Sequence, residues 1–407
     1  MQRFARIAAV GYNASHMDRD GRKDAGANRE AGSRRSVIIA LCGGLAALAA
    51  VYALWFIPIA PIEYLRADAE TPPVATWPLP LDTAAYNARM LALAHYVAPL
   101  VATTTASTTR AASTTPMLPP SPSSTATTSV SIAGKLWPHG AVYPEGGAIL
   151  PFNRIVAYYG NFYSTKMGVL GEYPEDEVMA KLASTTAAWA AADPTTPTIP
   201  AIQYIAVVAQ GQPGASGLYR AQMPDDQIEK ALGMANTLHG LLILDVQVGK
   251  STLQAELPEL SKWLALPNVE LAIDPEFSMK FGNPPGTVIG TFDAADVNYA
   301  AAFLANIVRQ NKLPPKVLVV HRFTYDMVTN VGNIHPLPEV EVVMDMDGWG
   351  SQAKKIGTYT HVIAPYPVQF TGLKLFYHAD LKPPSTGMLT MQQVLSLTPT
   401  PIYIQYQ

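Results

Sequence analysis

The chain contains one cysteine, Cys42, among 407 residues. An intramolecular disulfide is therefore excluded, and one thiol cannot by itself anchor a cysteine-based zinc or iron–sulfur site. Stability must come from packing. Charge is also scarce: Asp, Glu, Lys and Arg make up 14% of the residues, against roughly 25% in ordinary soluble domains. The 28 basic and 31 acidic side chains leave a net charge of -3, so the basic field that neutralises nucleic-acid phosphates is missing. Nucleic acid is not an expected partner. Neither GxGxxG nor GxxxxGK[ST] occurs, and no HxH or HExxH spacing points to a metal. No cofactor and no metal are expected.

What is present is apolar and rich in proline: 49% hydrophobic residues and 35 prolines, enough for at least one large core and, by length, for two or three units. The run from Val37 to Ile62 carries no charge between Arg35 and Glu63. As one helix it is long enough to cross about 30 Å of hydrocarbon. Residues 1–36 before it are rich in arginine, and the stretch after it is mildly acidic. This asymmetry predicts a single-pass signal anchor over 37–62, with the leader 1–36 in the cytoplasm and the rest outside the membrane. A cleaved signal peptide fits less well, because the apolar run is too long. Trp55 and Tyr64 flank the outer end as interfacial anchors, and Cys42 opens the run as a lipid-facing residue.

Residues 63–100 form a juxtamembrane segment. Within it, 82–98 reads as a short helix with Asp82 as cap and Tyr86, Met90, Leu93 and Val97 on one face. That face is free to rest on the membrane or on a neighbour. Residues 101–131 contain ten Thr, seven Ser and four Pro, too polar a composition to bury a core. A stalk is expected there, with hydroxyls open to O-glycosylation.

Residues 132–407 are close in length to the roughly 250 of a (β/α)8 barrel. Strand-like runs recur at 154–162, 201–209, 241–249, 269–277, 316–324, 340–348, 373–380 and 401–407. Helix-like stretches at 175–192, 224–239, 253–265, 293–311, 351–358 and 388–397 separate most of them. The alternation predicts an α/β fold of the TIM type, a parallel sheet wrapped by helices. Several strands begin apolar and end polar: Asp245 and Gln247, Asp274 and Glu276, His321 and Arg322, Asp345 and Asp347, His378 and Asp380. In a closed barrel all carboxyl ends meet at one mouth, where such folds place their chemistry. An open doubly wound sheet would also use strand ends, with weaker convergence.

Carboxyl groups crowded into one cleft repel each other's charge, so one keeps its proton and another stays ionised. Glycoside hydrolysis needs that division of labour. Glu276 is the expected general acid, with Asp274, Asp245 or Asp345 as nucleophile, base or charge stabiliser. Tyr159, Asn161, Gln247, His321, Arg322, Asp347, Tyr377 and Gln405 are expected to line the substrate. Tyr158, Phe162, Trp349 and Tyr406 are further rings for stacking on sugars. The bland alternative for Asp274 and Glu276 is a strand-ending turn, with Pro275 redirecting the chain and Glu276 paired to Arg322.

The first strand, VAYYGNF, and the Asp274-Pro275-Glu276 ending of the fourth resemble the chitinase-type glycoside hydrolases, whose fourth strand ends in Asp-x-Glu. More broadly, residues 154–330 resemble exported barrel proteins grouped with glycosidases by fold. The resemblance implies Glu276 as proton donor and Asp274 as the carboxylate that orients an acetamido group. Two positions depart from that pattern: Ala272 replaces a further Asp, and the last strand, IYIQYQ, has no tryptophan.

The leading expectation is thus a membrane-anchored, extracytoplasmic, glycoside-hydrolase-like barrel acting on a cell-envelope glycan. A noncatalytic glycan-binding or scaffold barrel is the second. A metal-dependent hydrolase or deacetylase, with Asp345, Asp347, His321, His378 and Asp380 as ligands, is the third.

Overall fold

The computed structural model describes residues 77–96 and 142–407. The leader, the apolar run 37–62 and the stalk 101–131 lie outside them. Among the described residues no helix is long and apolar enough to cross a membrane.

Eight parallel strands close on themselves: β1 (Arg154–Gly160), β2 (Thr198–Ala209), β3 (Leu241–Val246), β4 (Val269–Ile273), β5 (Lys316–Arg322), β6 (Val340–Met346), β7 (Phe370–Leu375) and β8 (Tyr403–Tyr406). Each pairs with its sequence neighbours, and β8 pairs with β1, with Ile155 opposite Tyr403. The expected α/β barrel is therefore closed. All eight expected strands form, because the runs are apolar and most are rich in β-branched or aromatic residues. A short antiparallel piece, Arg220–Gln222, extends the end of β2.

Helices α2 (Glu175–Ala192), α3 (Asp225–Thr237) and α4 (Ala294–Asn311) lie where the sequence predicts them. Acidic first turns complement the helix dipole of α2 and α3. A capping box between Asp293 and Asp296 starts α4. The stretch 253–265 does not form one helix: two short helical turns flank a 3-10 segment, Leu257–Leu260, that contains Pro258, whose ring and missing N–H oppose a continuous α-helix.

Strand alternation divides the core into two layers. Outward residues such as Val156, Ile202, Leu244 and Val320 pack under the helices. Inward residues fill the barrel: Ile155, Ala157, Ala201, Ile243, Ala272, Val319, Val343 and Phe370. A first helix, α1 (Thr83–Leu93), capped by Asp82, turns Tyr86, Met90 and Leu93 onto the lower ends of these strands. The surface that the amphipathic face covers is thus the floor of the barrel, and Thr400 N–H donates to Leu93 O at 2.8 Å to fix it. The described residues 77–96 thus pack with the barrel.

Candidate functional site

The carboxyl ends of the strands bring polar side chains together in two tiers around the axis. Register sets the lower tier. Asp345 on β6 lies opposite His321 on β5 and opposite Gly372 on β7. An added Cβ at Gly372 would stand 2.6 Å from Asp345 Oδ1 and 2.7 Å from Tyr403 Cδ1, so the missing side chain makes the room in which Asp345 sits.

His321, fully buried, meets a carboxylate at each ring nitrogen: Nε2 to Asp245 Oδ2 at 2.9 Å, and Nδ1 to Asp345 Oδ2 at 3.0 Å. Asp347 Oδ2 is 3.4 Å from Nδ1. Only the imidazolium donates from both nitrogens. Burial alone would lower its pKa, but the bonds to Asp245 and Asp345 and the charge of Asp347 outweigh burial and hold it well above the ordinary value. Gln203 Nε2 donates to the same Asp245 Oδ2 at 2.7 Å, and its carbonyl accepts from the Tyr403 hydroxyl. Burial, opposed by His321, raises the Asp345 pKa.

The upper tier lies toward the mouth. The Lys374 ammonium pairs with Asp347 Oδ1 at 3.0 Å and sits 3.8 Å from the Tyr159 ring centroid. Gln247 donates to the Tyr159 hydroxyl at 3.1 Å and to Asp274 Oδ2 at 3.3 Å, while accepting from Ala209 N–H. Asp274 Oδ1 accepts the Glu276 N–H at 3.1 Å and so caps the Pro275–Phe277 turn. Asp274 is pushed up to about 7, chiefly by burial; the Asp245 and Asp347 charges add to this, while His321 and Lys374 oppose it. Glu276 is pushed up to about 8, by burial first and then by Asp274 and Asp347, against Lys374 and His321. Glu276 alone of the expected acids is half-buried; Asp245 and Asp345 are 0% exposed and Asp274 2%.

The expected acids therefore converge, but their parts differ. Asp245 and Asp345 grip His321 and leave one oxygen each, Oδ1, without a hydrogen bond. Asp274 and Glu276 are the pair at the rim. Gln405 faces inward from β8, fully buried, and neither of its amide atoms makes a hydrogen bond. Tyr159, Gln247 and Asp347 belong to the site.

Three residues expected to line the substrate do not join it. Arg322 follows His321 and, by alternation, points away from the axis. Its guanidinium donates to the carbonyls of Thr324, Tyr325, Val328 and Val362, not to Glu276. It lines a separate, open cleft of about 480 Å³ with Tyr325, Asn330 and Tyr366. Asn161 bonds Ile205 O and the Tyr163 N–H and so shapes the turn after β1. Tyr377 bonds the Tyr158 hydroxyl at 2.9 Å and stacks on Tyr406 outside the barrel, where Trp189 of α2 donates to Tyr406. The Tyr158, Tyr377 and Tyr406 rings are thus packed under α2. Phe162 stacks on Tyr204, and Trp349 lies between Lys354 and Lys382.

Strand β7 runs earlier than expected, Phe370–Leu375, so His378 and Asp380 fall in the following turn. His378 is exposed and pairs with Glu172 at 2.7 Å. Asp380 is buried against Lys355 at 3.0 Å and accepts from Gly350 N–H. His378 and Asp380 are thereby separated from His321, Asp345 and Asp347, which stay together. Among the described residues no group of three His, Cys, Asp or Glu is arranged to hold a metal ion.

Three residues of the site escape the strand-end pattern: Gln203, Lys374 and Tyr403. A lysine inside the apolar run LKLF was the available signal, since period two places Phe370, Gly372 and Lys374 on one face. No family model matches the chain, and comparison with characterised proteins brings no match.

Proposed function

We propose that the barrel mouth is a general acid–base site for hydrolysis of a glycan, with Glu276 as proton donor and Asp274 as its carboxylate partner. The supporting observation is the carboxyl pair at the end of β4, half-buried Glu276 above buried Asp274. It is set against the Asp347–Lys374 ion pair in a ring of strand ends. A carboxyl that keeps its proton near neutral pH can protonate a leaving oxygen, and a neighbour that ionises first can stabilise the positive charge that develops on the sugar. Tyr159 and Gln247 are buried behind this pair, with Lys374 over the Tyr159 ring and the Gln247 amide bonded to Tyr159, Asp274 and Ala209, so in this reading they position the carboxyls. In this reading residues 37–62 anchor the chain in the membrane, and the barrel acts on an envelope glycan on the extracytoplasmic side.

The burial of Asp245, Asp345 and His321 favours a second reading, a barrel that binds a glycan or serves as a scaffold without turnover. The test is incubation of the full-length chain with a panel of envelope glycans, with products identified by mass. Hydrolysis by the wild type, lost in Glu276→Gln with binding retained, supports the first reading. Hydrolysis equally fast in Glu276→Gln refutes it, and glycan binding without any product supports the second.

A further inference from the structure

At the opposite end of the barrel, a cavity of about 290 Å³ opens between α1, the end of α2 and the loop before β8. Two arginines, Arg89 and Arg154, line it together with His95, Thr195 and Thr196. Arg154 is 0% exposed. As the first residue of β1, just before inward-facing Ile155, it points outward from the barrel by alternation. Its guanidinium carbon lies 5.4 Å from the Trp189 ring centroid, and its Nη2 donates to Asp193 Oδ2 at 2.9 Å. Its Nε and Nη1 have no hydrogen-bond partner. Three N–H groups of a buried cation are therefore unused, a costly state unless a ligand or water meets them.

Arg89 comes from α1 and has no carboxylate within ion-pair distance among the described residues. Its nitrogens donate to Pro151 O, Thr195 O at 3.0 Å and the Thr196 hydroxyl at 2.6 Å, which leaves one further N–H on each terminal nitrogen. The two cations repel: burial is the main cause that lowers the Arg154 pKa, and the charge of Arg89 lowers it further, against Asp193. Asp193 is ionised: burial opposes its charge, but the hydroxyls of Thr195 and Thr196 and the Arg154 guanidinium hold its pKa at about 2. One carboxylate thus faces two guanidinia, and a positive charge is left over in a cavity large enough for a small ion.

We propose that this cavity binds a small oxyanion, of the phosphate or sulfate class, between Arg89 and Arg154. Guanidinium groups match such anions because paired N–H donors meet paired oxygens. The anion would tie Arg89 of α1 and His95 of the turn that follows it to β1 and the segment Asp193–Thr196. It would thereby lock the floor helix and its following turn onto the barrel. The site lies at the amino ends of the strands and shares no residue with the mouth.

The test uses the full-length chain in a chloride buffer of constant ionic strength. Inorganic phosphate, then sulfate, is titrated by calorimetry and by thermal unfolding. Saturable binding with a rise in Tm is expected for the wild type. Arg89→Gln should bind about tenfold or more weakly, the loss expected for one charge-assisted contact. Arg89 is half-buried, so this variant should fold; Arg154→Lys, which keeps the charge but not the fork, provides a second reading of the same loss. Absence of any binding beyond that of chloride overturns the proposal, as does equal affinity in wild type and Arg89→Gln.

Discussion

Replacing Gly372 by alanine tests the geometry on which the inner tier depends. The new methyl carbon would lie 2.6 Å from Asp345 Oδ1, 2.7 Å from Tyr403 Cδ1 and 3.2 Å from Asp345 Cβ. Comfortable contacts between carbon atoms lie near 3.5–4.0 Å. Neither neighbour can yield cheaply: the Asp345 carboxylate is held by His321, and the Tyr403 hydroxyl by Gln203. Overpacking of a tight core costs about 1–3 kcal/mol, and two clashes on opposed strands put this site at the upper end. Gly372 has an ordinary φ, so alanine also restricts the unfolded chain and returns about 0.4–1 kcal/mol. The net loss should be about 2 kcal/mol. With a urea slope of about 2–3 kcal/mol/M, the unfolding midpoint should fall by about 0.7–1 M. Gly332→Ala is the control, because nothing lies within 4 Å of its added Cβ; it should stay within about 0.5 kcal/mol of wild type. Equal midpoints for the two variants would falsify the inward placement of Gly372 beside Asp345.

Glu276→Gln should change the pH dependence of stability as well as turnover. A carboxyl whose folded pKa, about 8, exceeds its unfolded value contributes stability at low pH that is lost as pH rises through that window. The variant should therefore be more stable than wild type at pH 8.5, by about 1–2 kcal/mol after discounting for partial exposure, and should lose that advantage at pH 4 in urea titrations. Lys374→Met removes a charge that lowers the pKa of both Asp274 and Glu276, so both limbs of the pH–rate profile should move to higher pH; unmoved limbs would dissociate Lys374 from the pair. His378→Ala removes an exposed contact with Glu172 and should alter stability by less than about 1 kcal/mol with unchanged turnover. Loss of turnover there would return the metal reading to consideration.

Much of this architecture can be read along the chain. Eight apolar runs alternating with helical stretches, Asp82 as a cap, and acids at strand ends are local features. Local preference and burial act on them in the same direction. Period two also pairs Asp245 with Gln247, and Asp345 with Asp347, on one face. What it does not supply is the phase of each strand relative to the axis. A bulge between Ile205 and Val207 shifts the phase of β2, and closure of β8 on β1 decides which faces look inward. For that reason His321 enters the barrel while Arg322 leaves it, and the Tyr158, Tyr377 and Tyr406 rings become helix packing instead of a sugar platform.

The order of apolar and polar residues was enough to determine the strand count, most of the helix positions and the gathering of acids at one end, because each follows from contacts within a few residues or from one repeating period. Tertiary structure alone decided that Asp245 and Asp345 clasp a buried imidazolium, that Lys374 reaches the mouth, and that α1 forms the floor. Those outcomes depend on distances between segments far apart in sequence, fixed only when the sheet closes and shear sets the register of every strand against its neighbours.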